Sequence, residues 1–179
     1  MKKIILMLTV LVFIFSACNK NNGSEGFVDT GPTPGLPRSL PFAAAEDGFV
    51  FVFNNVRVVM GAPSENIITS LGEYRSRRVE PSCAFEGYDV TYIYNDFYIE
   101  CFQFDDNFYV HVVDFTNDNV RTAEGLYIGA GFDDMVKLYG DGFRRDFNMH
   151  IYERNGTELK ILVEDGVVVQ ITYYFMILN

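Results

Sequence analysis

The chain has 179 residues, with 24 acidic against 14 basic side chains and a formal charge of −10 at pH 7. That balance argues against nucleic acid, whose phosphates need clustered Lys and Arg, and against electrostatic adhesion to anionic lipid.

The first element is a segment for export. Met1-Lys2-Lys3 opens it with positive charge, and the apolar run Ile4 to Phe15 follows. That run is too short to cross a bilayer comfortably, since a spanning helix needs roughly 20 apolar residues. Small residues then lead to a cysteine, which reads as a cleavable signal rather than part of the fold. Phe15-Ser16-Ala17-Cys18 resembles the lipobox of bacterial lipoproteins. The resemblance implies loss of residues 1–17 and diacylation of Cys18. The plainer alternative is an ordinary secretory signal that happens to end in cysteine. Removing residues 1–17 takes Lys2 and Lys3 and no acid, leaving 12 basic and 24 acidic residues and a charge of −12. Two acyl chains on one residue anchor a protein stably where a single chain is marginal. The expected location is therefore the extracytoplasmic side of the cell membrane, with attachment through the N-terminal diacylglycerol.

Residues 18–41 are polar and rich in Asn, Gly and Pro, as in Thr30-Gly31-Pro32-Thr33-Pro34-Gly35. They read as a flexible tether that cannot bury a core. A folded domain is expected over 42–179, a length that suits one compact unit.

Within that domain the chain repeats itself. Val59-Met60-Gly61-Ala62 and Leu71-Gly72-Glu73 match Tyr127-Ile128-Gly129-Ala130 and Tyr139-Gly140-Asp141 at an offset of 68. Tyr92, Asn95, Ile99, Asp105 and Phe115 match Tyr152, Asn155, Leu159, Asp165 and Phe175 at an offset of 60. The first copy (about 49–117) thus carries eight residues more than the second (about 120–178), around Arg77-Arg78-Val79-Glu80-Pro81-Ser82-Cys83. Each copy predicts a short strand (56–60; 126–128), a short helix (64–71; 132–139) and three antiparallel strands. Ser64 is the expected helix N-cap, with Glu65 in the first turn. Gly72 and Gly140 stand where left-handed C-caps belong.

The strand register follows from turn chemistry. A tip at Asn95-Asp96 sets Tyr94 against Phe97, Tyr92 against Ile99 and Val90 against Cys101, all on one face. A tip at Asn155-Gly156 sets Tyr152 against Leu159 and His150 against Ile161. The last hairpins turn at Asp105-Asp106 and Asp165-Gly166. Beyond them Val110-His111-Val112-Val113 and Val167–Ile171 do not alternate, which predicts a bulge in each. The expected fold is α+β, two tandem strand–helix–meander repeats with both helices on one face of an antiparallel sheet.

Ser82-Cys83-Ala84-Phe85-Glu86-Gly87-Tyr88-Asp89, Thr91-Tyr92, Phe97-Tyr98-Ile99 and Gly125-Leu126-Tyr127-Ile128-Gly129 carry a further likeness. With the lipobox, tether and repeats, these segments resemble the β-lactamase-inhibitor-like superfamily over about 49–179. That superfamily includes a secreted inhibitor and a small outer-membrane assembly lipoprotein. The segments are most similar to lipoproteins of Gram-positive bacteria. The resemblance implies a fold. No residue matches the inhibitor's target-binding loops, so inhibition is not implied.

Few residues suggest chemistry. After Cys18 only Cys83 and Cys101 remain, an even number that permits one disulfide in an exported protein; Cys101 as reduced core packing is the alternative. His111 and His150 fall in separate strands, short of the three or four ligands of a zinc site. Asp105-Asp106 and Asp133-Asp134 lack the spacing of a calcium loop, and a turn and a helix start account for them. Ser64 and Ser82 have no nucleophile elbow. No catalytic set, metal or cofactor is therefore expected. A surface remains. Ile93, Tyr98, Glu100, Phe102 and Phe104 have the parity opposite the core residues, as do Met149, Ile151, Lys160 and Leu162. Aromatics left on the sheet face away from the helices mark a binding site unless a loop or tail covers them. The sequence thus predicts a binding module for a protein or peptide. The alternatives are an assembly lipoprotein of an envelope complex and a hydrolase.

Overall fold

Short alternating runs of Val, Ile, Tyr and Phe, broken by two-residue turns, dictate strands, and two eight-residue stretches dictate helices. In a computed structural model the described residues are 40, 42–83 and 86–177. The expected signal segment, Cys18 and nearly all of the expected tether lie outside them. In chain order the elements are β1 (Phe51–Phe53), β2 (Val56–Val58), α1 (Ser64–Leu71), β3 (Ser76–Pro81), β4 (Tyr88–Ile93), β5 (Phe97–Phe104) and β6 (Asn107–Phe115). Then come α2 (Phe132–Tyr139), β7 (Arg144–Asp146), β8 (Met149–Arg154), β9 (Thr157–Glu164) and β10 (Val167–Phe175).

β1 and β2 form a hairpin of their own, and the other eight strands form one antiparallel sheet in the order β3-β4-β5-β6-β10-β9-β8-β7. The α+β architecture is as expected. Each helix is followed by four strands rather than three. The additional strands, β3 and β7, form the two edges, and all their residues are exposed. With nothing to bury they carry no apolar alternation, so β3 was legible only as an insertion. β2 stops at Val58 and stays out of the large sheet, and Leu126–Ile128 forms no strand.

The hairpin registers agree with the turn chemistry. Val90 faces Cys101, Tyr92 faces Ile99, Tyr152 faces Leu159 and His150 faces Ile161. Following the pairs across the sheet gives one row: Tyr92, Ile99, Val113, Tyr173, Leu159, Tyr152. Directly opposed residues share a face, so this row lies on one side, where the core forms. Helix α1 meets that side through Ser64, which hydrogen-bonds the Cys101 sulfur. Helix α2 meets it through Tyr139, whose ring lies 5.2 Å from that of Tyr152. The β1–β2 hairpin packs there too, with Phe51 against Phe97 and Tyr173.

Both predicted bulges are present. The register shifts leave His111 as the extra residue in β6 and Val169 in β10. Ser64 is not the N-cap. Pro63 holds that position without a side-chain bond, and Ser64 is the first helical residue, turned inward and 3% exposed. Both helices end on glycines with φ of 82°. Gly61 has a further reason to be glycine: φ is 74°, and a Cβ there would stand 2.5 Å from the Phe175 ring.

Candidate binding face

The face opposite the helices carries the other parity. One of its rows reads Ser76, Ile93, Tyr98, Asp114, Thr172, Lys160 and the next reads Arg78, Thr91, Glu100, Val112, Tyr174, Glu158. Three of the five predicted site residues meet here. Ile93, Tyr98 and Glu100 line one hollow with Arg78 and Thr91, of about 260 Å³.

The other two do not join them. Phe42, upstream of β1, meets Phe102 and Phe104 edge-on, at 5.3 and 5.6 Å between ring centroids. It touches Tyr109 and Phe175 in the same way. Phe102 is fully buried as a result and cannot be a contact surface, while Phe104 is half-buried in the same cluster. Nothing in the local pattern around Phe42 announces that it folds back; only the pairing of distant strands makes a seat for it.

The electrostatics around the hollow are set by burial. Burial raises the Glu100 carboxyl above its ordinary range, Asp89 and Glu80 add to the rise, and Arg78 opposes it. The Tyr98 hydroxyl is pushed up to about 12, first by burial and then by Asp114, to which it hydrogen-bonds. Asp114 is 6% exposed and accepts hydrogen bonds from Gln170 Nε2 and Thr172 Oγ1, both at 2.8 Å. Burial still raises its carboxyl, against those bonds. Beyond it Glu158 takes Arg144 at 2.9 Å and Lys160 at 3.0 Å. The Lys160 ammonium also sits 3.8 Å over the Tyr174 ring, and Tyr174 contacts His111 at 4.8 Å. Burial, with Lys160 nearby, pushes His111 down to about 4, so it is neutral at pH 7 although Glu100 lies 3.9 Å away. Sequence reasoning missed Asp114, Thr172 and Tyr174, and weighed His111 only as a metal ligand. The bulges end the parity rule just before them, and β6–β10 pairing has no local signal.

The remaining candidates separate. Cys101 is a free thiol, fully buried, so the disulfide with Cys83 is not formed. The two positions sit on different elements, Cys83 exposed beyond the edge strand and Cys101 inside. Burial pushes the Cys101 thiol up to about 12, which keeps it protonated and unreactive. His150 is 4% exposed between Phe132 and Phe143, on the core face as its parity demands. No cluster of three or more metal-ligating side chains occurs among the described residues. A larger hollow of about 460 Å³ lies on the helix side between α1 and β4, walled by Tyr74, Tyr92 and Phe108, away from the predicted residues.

One residue draws notice that no sequence pattern marked. Phe147 stands at the β7–β8 turn, 92% exposed, with φ of 50°. A bulky residue in the left-handed region is an outlier, since Asn or Gly would adopt it at less cost. The Arg145 side chain holds the turn by donating from Nε to the Phe147 carbonyl at 2.7 Å.

Compared with models of known protein families, with curated proteins and with solved structures, the chain matches none.

Proposed function

We propose that the chain is a lipid-anchored, extracytoplasmic binding module that recognises a protein or peptide through the sheet face opposite its helices. The observation that carries this reading is the hollow of Arg78, Thr91, Ile93, Tyr98 and Glu100. It combines an apolar wall, a phenol, and a carboxylate held half-buried above its ordinary range. Keeping such groups together away from the core costs stability, and a ligand that pairs with them is the simplest return. The contact centres on Tyr98, Glu100 and Ile93, without Phe102. A photo-crosslinking side chain placed at Tyr98, with Val167 as control, tests it in cells making the full chain. A discrete adduct from Tyr98 that Glu100→Gln abolishes is expected. Equal yields from both positions would reject the face. For the anchor, Cys18→Ser is expected to release the protein from membranes.

The paired halves are read as two copies of one unit. Both helices have eight residues. Gly61 donates its N–H to Val110 as Gly129 does to Val168, both at 2.8 Å. The bulges fall on His111 and Val169, the next residue in each case. This supports the resemblance to the β-lactamase-inhibitor-like superfamily as far as fold.

A role in assembling an envelope complex is favoured by Phe147. Phe42 meets Phe104 and Phe175 at one end of the strands. Phe147 stands beyond Asp146 and Met149, at the other end. At 92% exposure and φ of 50°, its ring is the contact that this second reading uses.

A further inference from the structure

Among the described residues, the edge strand β3 has backbone groups without a partner, in a definite order. Its six residues are all exposed, and it pairs on one side only, with β4. Ser82 donates its N–H to Gly87 at 3.0 Å, and the register runs unbroken from Pro81–Tyr88 back to Ser76–Ile93. In an antiparallel pair, alternate residues turn both backbone groups toward the partner. Ser76, Arg78 and Glu80 therefore face β4. Arg77, Val79 and Pro81 turn theirs outward, with proline offering a carbonyl only.

We propose that β3 pairs antiparallel with β3 of a second copy about a dyad at Val79, joining two sheets into one. Charge selects this register. A dyad at Arg78 would oppose Arg78 to itself, and a dyad at Glu80 would oppose Glu80 to itself; like charges directly opposed are destabilising. A dyad at Val79 sets Arg78 against Glu80 of the other copy, twice. It also sets Val79, an apolar side chain 45% exposed, against its own copy. The outward groups then match. Each Val79 N–H meets the other Val79 carbonyl, and each Arg77 N–H meets the other Pro81 carbonyl. The missing proline N–H leaves only the Arg77 carbonyls to water, at the rim. Within one copy Arg78 Nε and Glu80 Oε1 lie 3.4 Å apart with both side chains more than half exposed, a pair worth little that the dimer replaces. Arg and Pro on an edge ordinarily discourage strand addition. Here the alternating signs discourage the registers one residue to either side. β7, with three residues and Arg144 engaged by Glu153 and Glu158, offers no comparable edge. Arg78 also lines the Tyr98 hollow, so Glu80→Arg, at a residue outside that lining, separates the pairing from the proposed contact.

Sedimentation of the full chain in detergent over a concentration series tests the pairing. A reversible monomer–dimer equilibrium is expected. Arg78→Glu and Glu80→Arg each create two like-charge pairs and are expected to weaken it roughly tenfold or more. Mixed in equal amounts, the two variants form opposite-charge pairs again and should recover association. Both side chains are exposed, so neither change threatens folding. A wild-type chain that stays monomeric throughout overturns the proposal. So do variants that associate as tightly as wild type, or a mixture that recovers nothing.

Discussion

His111 shows how one residue's position decides its chemistry. It is the extra residue of the β6 bulge, and the bulge turns its imidazole among Phe102, Tyr174 and Glu100, with 13% of the side chain exposed. Burial lowers its pKa from 6.5 to about 4. Between those values the unfolded chain binds a proton that the native state refuses. The stabilising contribution of neutral His111 is therefore complete above about pH 6.5 and lost as pH falls toward 4. Glu100, Asp114 and Asp89 are shifted upward and act in the opposite sense, favouring the native state at low pH. Denaturant unfolding at a series of pH values should show His111→Gln losing up to about 3 kcal/mol less stability across that window than wild type. An unchanged slope would remove His111 as its source. Gly61 makes a second residue-scale case. Gly61→Ala places a methyl 2.5 Å from the Phe175 ring at φ 74°. A loss of about 2–3 kcal/mol is expected in the same measurement.

At the scale of elements, legibility followed burial. The central hairpins could be read because their side chains alternate between a buried and a less buried face and because their turns have chemistry. Asn155-Gly156 adopts φ of 41° and 79°, the left-handed pair that a two-residue hairpin needs. Asn95-Asp96 turns at the expected place by another device: Asn117 and Asn119 each donate a side-chain amide to Asp96 at 2.9 Å. The edges β3 and β7 could not be read, since their side chains face water on both sides. The β7–β8 turn was hidden for the same reason, with Phe147 where turn formers normally stand. That turn carries a prediction. Phe147→Gly removes the cost of a left-handed bulky residue, and little packing is lost at 92% exposure. A gain of about 0.5–1 kcal/mol in unfolding free energy is expected. Lost stability would mean that the ring supports the turn, and the argument that it is kept for a partner would fall.

For the whole molecule the question is whether the two halves fold separately. Among the described residues their strands meet only along Val112–Asp114 and Thr172–Tyr174, a short seam. Other parts of the chain cross it. Phe51 is fully buried and meets Phe97 and Phe115 of one half and Tyr173 of the other. The Phe49 N–H donates to Thr157 Oγ1 at 2.8 Å, and Phe175 lies over Gly61. None of this crossing was visible in the sequence, where the two copies read as complete units and residues 49–58 as part of the first alone. Phe51 is the sharpest test, because its ring belongs to both halves at once. Phe51→Ala opens a cavity at the junction and should cost about 3–5 kcal/mol. Native-state hydrogen exchange should then show the amides of β4 and β8 losing protection together and by similar amounts, as one cooperative unit requires. If β8 keeps its protection while β4 opens, the halves are independent domains joined at a seam, and the single-core reading fails.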